Sequence, residues 1–436
     1  MVKKEHKANW SKFNFLNEET GFLYNSYSNC LFQLDKSILK ELKCLMKSKS
    51  YCLSKEEICF LKENKVIDND DEASIEVLHH QSLSRIYNKK HLVLTIAPTQ
   101  NCNFDCKYCF EKWRTPGKMN DNVEDAIINY LKEQKKLNGL ESISLTWYGG
   151  EPLLEKERIL SLGSRIKKLG FEMLENEIIT NGYLFDEKCY SILSEIEIES
   201  VQITIDGFEE LHNQKRPLIG GKPTFDTIVK NLDNFFKSNY KNDFLIAIRV
   251  NVDKSDVDHF LSTRKWLKER YSADNLVVYP GWIHRDEAHP SRCNCLSRNE
   301  ATDVVLNLYE KENIQIEELY PGDISFECLV RNPYSIIIGW KGEMYKCYED
   351  IGVEELIIGN ILDKQIWSNI ELIAKYSVGL DHFQDPTCRA CPYLPICHGG
   401  CPKRRYENKY EGKNNDCCTP FKGRLDDYIN LLTHKD

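Results

Sequence analysis

The chain has 436 residues, too many for one ordinary hydrophobic core, so two or three domains are expected. Hydrophobic residues make up 41%, charged residues 29%, and the formal net charge is −9. That balance fits a globular fold and argues against nucleic acid as the main partner. No uninterrupted apolar run reaches the roughly eighteen residues that a membrane helix needs, so no span is predicted. The start, Met1-Val-Lys-Lys-Glu-His-Lys, lacks the apolar core of a signal peptide, and the chain reads as cytoplasmic. There are 18 cysteines. In a reducing compartment they read as metal ligands rather than as a disulfide framework.

Between Lys12 and Leu34, the residues Phe13, Phe15, Phe22, Tyr24, Leu31 and Phe32 are broken by Asn17 and Asn25, which predicts two or three short strands. Asp35 is placed to cap a helix carrying Ile38, Leu39, Leu42 and Leu45 at helical spacing. Ser54 with Glu57 three residues on forms a capping-box pattern before Ile58 and Leu61, with Val66 at the exit. Cys30, Cys44, Cys52 and Cys59 have no ligand spacing and are expected to be small buried residues. Strands followed by helices resemble the winged-helix leader-recognition element fused to many peptide-modifying enzymes. The resemblance implies that residues 1–90 bind an extended peptide at a sheet edge.

From residue 91 strand and helix patterns alternate. Strands are predicted at Leu92–Ala97, Ile143–Tyr148, Glu177–Thr180, Val201–Ile205, Phe244–Val250 and Leu276–Tyr279. Between the first two, Val123, Ala126, Ile127, Tyr130 and Leu131 share a helix face. Repeated strand–helix units predict an α/β fold, a partial (β/α)6 barrel over 91–292 with its site at the C-terminal strand ends. After the first strand comes Cys102-Asn-Phe-Asp-Cys106-Lys-Tyr-Cys109. Three thiolates are too few for a closed zinc site, but a cubane iron–sulfur cluster held by three thiolates leaves one iron open.

This stretch, with Tyr108 before its last cysteine, resembles the triad of the radical S-adenosylmethionine (SAM) superfamily. The resemblance implies that Cys102, Cys106 and Cys109 hold a 4Fe-4S cluster whose open iron chelates SAM. One electron then cleaves the sulfonium C–S bond, and a 5′-deoxyadenosyl radical takes a hydrogen atom from an unactivated carbon. Gly149-Gly150-Glu151-Pro152, after the second strand, matches the segment that holds the methionine ammonium in that family. Asn181, Thr204, Asp206 and Arg216 stand where relatives contact the ribose and carboxylate of SAM, with Tyr108 beside the cluster and Leu276 expected against the adenine. Arg249 and Asn251 share one face of the fifth strand by alternation, which places both in the barrel interior. Gly281 to Asn294 reads as a loop, with His284, Asp286 and His289 solvated.

In the last third, over 293–436, Cys328 precedes Gly342-x4-Cys347. Then comes Cys388-x2-Cys391-x5-Cys397-x3-Cys401, and last the pair Cys417-Cys418. Cys388-x2-Cys391 alone fits a zinc knuckle. The whole spacing resembles the SPASM-type extension, which carries two auxiliary 4Fe-4S clusters. That resemblance implies one cluster on Cys328, Cys347 and Cys401. It places the other on Cys388, Cys391, Cys397 and Cys418, with Cys418 preferred to Cys417 on the length of the last interval. The first cluster takes Cys295, in preference to Cys293, as its fourth ligand or keeps an open iron. With the catalytic cluster, the chain is expected to hold three 4Fe-4S clusters. His398 is expected beside the ligands rather than among them, and Tyr428–Leu432 to close the chain as a helix.

Sulfatase-maturing relatives have an aspartate base directly after the cysteine matching Cys347. Here Tyr348 stands there, with Glu349 and Asp350 following. Together with the N-terminal extension, this points to maturases that install thioether or carbon–carbon crosslinks in ribosomally made peptides. The expected partners are a precursor peptide with its leader and an electron donor such as flavodoxin or ferredoxin, with no nucleic acid and no membrane. The alternatives are a formylglycine-forming enzyme and, from another class, a non-catalytic cluster-containing peptide carrier.

Overall fold

A computed structural model describes residues 9–47, 53–68, 70–109, 111, 115–283, 295–315, 319–321, 328–397 and 399–433. Cys52, His284, Asp286, His289, Cys293 and His398 lie outside the described residues. The chain divides into two compact units. One comprises Met1–Ile86, Leu306–Cys328 and Val378–Asp436, the other Tyr87–Val305 and Leu329–Ser377. The boundaries expected at 90 and 292 are not those of this division, because distant segments pair.

In the first unit β1 (Asn9–Trp10) is followed by β2 (Asn14–Leu16), β3 (Phe22–Asn25), β4 (Cys30–Gln33), α1 (Lys36–Met46), α2 (Lys55–Glu63), β5 (Ile67–Asp68) and α3 (Asp71–Ile86). β2, β3 and β4 form an antiparallel sheet in that order, and β1 pairs with β5. The capping box opens α2 as expected: Ser54 Oγ accepts from the Glu57 amide at 3.1 Å, and Glu57 Oε2 accepts from the Ser54 amide at 2.6 Å. Leu23, Leu42, Leu45, Leu61, Val66 and Ile67 form the core. The cysteines expected to be buried here are not. Cys30 and Cys44 are half-buried, and Cys59 is exposed on α2, donating to Glu63 Oε1 at 3.3 Å.

The C-terminal tail belongs to this unit. Phe13 and Ile75 share a core with Phe383 and Leu394. Arg389 bridges to Glu72 and Glu76 on α3, and Ser26 Oγ donates to the Pro392 carbonyl at 2.6 Å.

In the second unit β6 (His91–Ile96), β7 (Ser142–Trp147), β8 (Glu172–Thr180), β9 (Ser200–Thr204), β10 (Leu245–Val252) and β11 (Leu276–Trp282) are six parallel neighbours in chain order. Helices α4 (Asp121–Asn138), α5 (Lys156–Lys167), α6 (Glu187–Glu195), α7 (Glu209–Lys215), α8 (Phe225–Lys237) and α9 (Val257–Tyr271) separate them. All six residues of β7 are buried, as expected for a strand covered on both faces. Each large apolar side chain so buried contributes about 1.5–3 kcal/mol. This is the α/β partial barrel expected from the alternation.

Three later strands extend the sheet beyond β6. β12 (Ile336–Ile338) pairs in parallel with β6, and β13 (Glu343–Tyr345) and β14 (Gly359–Asn360) continue antiparallel. Residues 329–377 therefore belong to the barrel sheet rather than to the cysteine-rich tail. α10 (Arg298–Glu312) and α11 (Ile370–Ser377) follow in chain order, then α12 (Pro386–Arg389), α13 (Leu394–Cys397), α14 (Pro402–Tyr410) and the closing helix α15 (Leu425–Thr433). No helix among the described residues is long and apolar enough to cross a membrane.

Candidate active site

The loop carrying Cys102, Cys106 and Cys109 leaves β6 at the C-terminal end of the sheet and is docked on two sides by backbone. On one side the Gly150 amide donates to the Thr99 carbonyl at 3.1 Å, and the Glu151 amide to Asn101 at 2.8 Å. A Cβ on Gly150 would collide with the carbonyl oxygens of Asn101 and Gln100, so this close approach requires glycine. On the other side the Asp105 amide donates to Pro217 at 2.9 Å, Lys107 to Lys215 at 3.1 Å and Ile219 to Asn103 at 2.9 Å. The base of the loop is clamped from β12–β13: the Trp340 ring covers Gly117, and its Nε1 donates to the Thr115 carbonyl at 3.1 Å.

Glu151 is fully buried, and protein groups engage both of its carboxylate oxygens. Oε1 accepts from the Leu153 amide at 2.9 Å and Thr180 Oγ1 at 2.7 Å, and Oε2 from the Asn181 amide at 2.7 Å. Burial raises its pKa, and these hydrogen bonds oppose the rise. Expected as a SAM contact, its side chain instead ties the end of β7 to the end of β8, while Pro152 opens the short turn behind it. Asn181 Nδ2 reaches the cysteine loop, donating to Asn103 Oδ1 at 2.8 Å.

Tyr108 joins the loop to the strand ends. Its hydroxyl donates to Asp206 Oδ2 and accepts from Arg216 Nη1 at 2.6 Å and Asn251 Nδ2 at 2.9 Å, which satisfies a phenol completely. Asp206 Oδ1 accepts from the Asn251 amide at 3.0 Å. Arg216 lies over the rings of Phe104 and Tyr108, at 5.6 and 6.0 Å from their centroids. Burial lowers the pKa of Arg216, and its interactions with Tyr108, Cys106 and Asp206 raise it further than burial lowers it. Arg216 Nε is buried with no hydrogen-bond partner in the protein, which leaves a donor for a bound anionic group. Thr204 ends β9 beside this network, nearly buried.

Asn251 had no assigned role in the sequence reading, and the structure makes it part of the site. Arg249 Nε donates to Asn251 Oδ1 at 3.0 Å, and a Cβ on Gly281 would strike the Arg249 side chain. Gly281 therefore belongs to β11, not to the following loop. Leu276 is corrected for the same reason. It opens β11 and pairs with Ile246, whereas Asn251 pairs with Gly281 at the far end. It thus sits at the end of the barrel away from the site. Pro280 made the strand look finished, but β11 is an edge strand, where a missing amide can face the open side.

His212 is a residue that sequence reasoning passed over. It is fully buried, and its Nδ1 accepts from the Asp206 amide at 3.2 Å. Burial, with Arg216 adding to it, pushes its pKa down to about 3. The unfolded chain then binds a proton that the folded chain refuses, so stability is lost as pH falls below the ordinary imidazole value of about 6.5. Between about pH 7.5 and 5.5 the wild type is expected to lose about 1 kcal/mol more than His212→Asn, which keeps an acceptor but no titration. Urea midpoints measured at both pH values check this.

Among the described residues, no three His, Cys, Asp or Glu side chains gather around a single metal-ion position. A cubane takes one thiolate per iron and spaces its ligands more widely. The donor chemistry fits such clusters. Cys102, Cys106 and Cys109 share one loop, none is in a disulfide, and Cys102 Sγ accepts from the Phe104 amide at 3.4 Å. In the tail, Lys422 Nζ donates to Cys418 Sγ at 3.2 Å and Arg405 Nη1 to Cys388 Sγ at 3.3 Å, cations placed as thiolates require. Cys391 and Cys397 are half-buried in the same segment. Cys347 lies in the barrel unit; Cys328 and Cys401 are exposed residues of the other unit. Cys295 is disulfide-bonded in this structure, so it would serve as a ligand only after reduction.

Residues 96–267 match the Radical SAM superfamily. The chain is 24% identical over 380 residues to a cysteine-type anaerobic sulfatase-maturating enzyme of Clostridium novyi, covering 79% of this chain and 97% of that protein. Its fold resembles that of native anSMEcpe with bound AdoMet and Kp18Cys peptide, with a TM-score of 0.60 and 23% identity over 79% of this chain and 99% of the other. It also resembles Streptococcus suis SuiB bound to S-adenosylmethionine, with a TM-score of 0.54 and 18% identity over 94% of this chain and 100% of the other. With the triad loop and the docked glycines inside it, residues 96–267 form a Radical SAM superfamily domain, in a chain whose fold resembles those of anSMEcpe and SuiB.

Proposed function

We propose that this enzyme matures a ribosomally made precursor peptide, installing an intramolecular thioether or carbon–carbon crosslink. The observation that carries the proposal is the folded N-terminal element. Residues 9–86 form a three-stranded antiparallel sheet with β2 and β4 at its edges, backed by three helices. An edge strand offers unpaired amides and carbonyls to an extended peptide, here the leader. The SuiB likeness over 94% of this chain must take in most of this element, whereas the anSMEcpe likeness covers 79%. SuiB has also been solved bound to precursor peptide SuiA.

The position after Cys347 supports the same branch. The Tyr348 ring packs on Tyr148 at 4.8 Å, and its hydroxyl lies 3.1 Å from Thr95 Oγ1. Asp350 is fully buried and accepts from the Tyr376 hydroxyl at 2.8 Å, so it does not supply the missing base.

When bound, SAM and the 4Fe-4S cluster on Cys102, Cys106 and Cys109 supply a 5′-deoxyadenosyl radical. The residues of this chain orient and shield. Arg216 would offer its unused Nε to the SAM carboxylate, and the Gly149–Gly150 backbone would hold the ammonium. An auxiliary cluster on Cys388, Cys391, Cys397 and Cys418 would take the second electron. A flavodoxin or ferredoxin in the cytoplasm would provide the first.

The test is anaerobic incubation of reconstituted enzyme with SAM, reductant and the peptide encoded beside its gene. The expected product is a peptide lighter by two hydrogens, with 5′-deoxyadenosine formed. An aldehyde at a Ser or Cys, trapped by a hydrazine, would instead make it a formylglycine-forming enzyme, the activity class of the Clostridium novyi relative. Iron-containing protein that never cleaves SAM would leave only a peptide carrier.

A further inference from the structure

We propose that the half-open face of the sheet beside the Tyr108 network seats the segment of the precursor peptide to be modified, and that Arg249 anchors it by binding oxygen acceptors of the peptide, a side-chain carboxylate or backbone carbonyls. This rests on the reading of the enzyme as a peptide maturase.

Strands of a parallel sheet are ordinarily covered on both faces, as β7 is. In β9, β10 and β11 one face is not. Val201, Ile203, Ile248, Val250 and Val278 are buried, whereas Gln202, Ala247, Arg249 and Tyr279 between them are half-buried. Arg249 pairs with Thr204 on one side and Tyr279 on the other, so all three share the half-open face with Asn251. Along β10, Arg249 lies two residues before Asn251, about 7 Å deeper into the barrel. It stands at the first step beyond the residues that contact Tyr108.

The neighbouring strand is shaped around the Arg249 guanidinium. Its Nε donates to Asn251 Oδ1 at 3.0 Å, and a Cβ on Gly281 would strike that Nε, so glycine on β11 leaves the room it needs. Held at Nε, the guanidinium keeps two terminal nitrogens that meet no acceptor, and no carboxylate pairs with it, among the described residues. Glu177, on the same face of β8, accepts from Thr146 Oγ1 at 3.0 Å instead. A cation in a partly desolvated interior is costly without a partner. Beside it the Tyr279 hydroxyl donates to Gln202 Oε1 at 2.5 Å, across the small side chain of Ala247. That bond uses the Gln202 carbonyl and leaves its amide N–H groups. The unused groups around Arg249 are therefore donors, which suit oxygen acceptors, and the guanidinium fork can take two at once. Asn251 also donates to the Tyr108 hydroxyl, so a peptide held by Arg249 shares one asparagine with the network that carries Arg216.

The experiment compares full-length wild type, Arg249→Gln and Arg249→Lys, reconstituted anaerobically, with SAM, dithionite and the peptide encoded beside the gene. Arg249→Gln is expected to raise KM for the peptide about ten- to a hundredfold, while SAM affinity by equilibrium dialysis changes by no more than about twofold. 5′-Deoxyadenosine should then outrun modified peptide, a mismatch that a general loss of folding does not produce. Arg249→Lys keeps the charge but not the planar fork, and should recover only part of the KM. The two sources of oxygen are told apart with the peptide. If a side-chain carboxylate is bound, changing one acidic residue of the peptide to its amide raises KM for the wild type and adds nothing in Arg249→Gln. If backbone carbonyls are bound, Arg249→Gln still raises KM and no such change reproduces it. Wild-type KM in both variants overturns the proposal. So does a loss of SAM affinity that matches the rise in KM, since Arg249 then serves SAM. A wild type that leaves the peptide unaltered overturns the maturase reading and the proposal with it, and needs no variant to be seen.

Discussion

Alanine at Cys102, Cys106 or Cys109 abolishes SAM cleavage and removes one cubane of iron while the rest of the protein stays folded. The first half follows from chemistry. A cluster with three protein thiolates has no spare ligand, and SAM is chelated only by the iron that those thiolates leave open. The second half follows from how the loop is held. Its backbone is fixed through Asp105, Lys107 and Ile219 on one side and through Gly150 and Glu151 on the other. None of these bonds uses a cysteine side chain. All three cysteines are half-buried, so truncating one removes little apolar packing, about 1 kcal/mol or less. Anaerobic purification, an iron count and 5′-deoxyadenosine formation with dithionite measure both halves. Retention of the wild-type cleavage rate by any one variant sinks the cluster assignment, and loss of the far-UV CD spectrum sinks the account of the loop.

What was legible in the sequence follows the range of the interaction. The triad and the Gly149–Pro152 segment are short, and their spacing carries their chemistry. The alternation from residue 91 likewise gave six parallel strands, because each strand–helix unit is local. Long-range pairings left no such mark. Nothing in Ile336–Ile338 announces that it will lie beside β6 more than two hundred residues earlier, and this pairing moves residues 329–377 into the barrel. Nothing in Arg389 announces Glu72 and Glu76. The error at Leu276 has a local cause, since a proline ends a central strand but not an edge strand. Asn251 and His212 were unreadable for a different reason. Their partners, Tyr108 and Asp206, come from other strand ends, and a polar residue acquires a function only when the fold supplies its neighbours. Glu151 is the converse case, a motif residue in the expected place whose side chain turns inward to hold the ends of two strands.

Arg216 carries the second large expectation, because it joins Tyr108 of the cysteine loop to the strand-end network proposed to bind SAM. Arg216→Ala removes the cation between the Phe104 and Tyr108 rings and one of the two donors to the Tyr108 hydroxyl. It leaves Asp206, nearly fully buried, without its counter-charge. Removing one partner of a buried charged network costs about 3–5 kcal/mol. SAM affinity is expected to fall as well if, as proposed, the orphaned Nε serves as a donor to the carboxylate. Loss of one charge-assisted hydrogen bond is about 1.5–3 kcal/mol, roughly ten- to a hundredfold. Arg216→Lys separates the two effects. It restores a positive charge near Asp206 and Cys106, and so much of the stability. A point charge on a flexible stem cannot reproduce a planar fork that engages Tyr108 and a carboxylate together, so SAM binding stays weak. Thermal unfolding of the reconstituted protein, set beside SAM binding by equilibrium dialysis, reads the two separately. If Arg216→Lys binds SAM as the wild type does, Arg216 serves the fold alone and the carboxylate is held elsewhere.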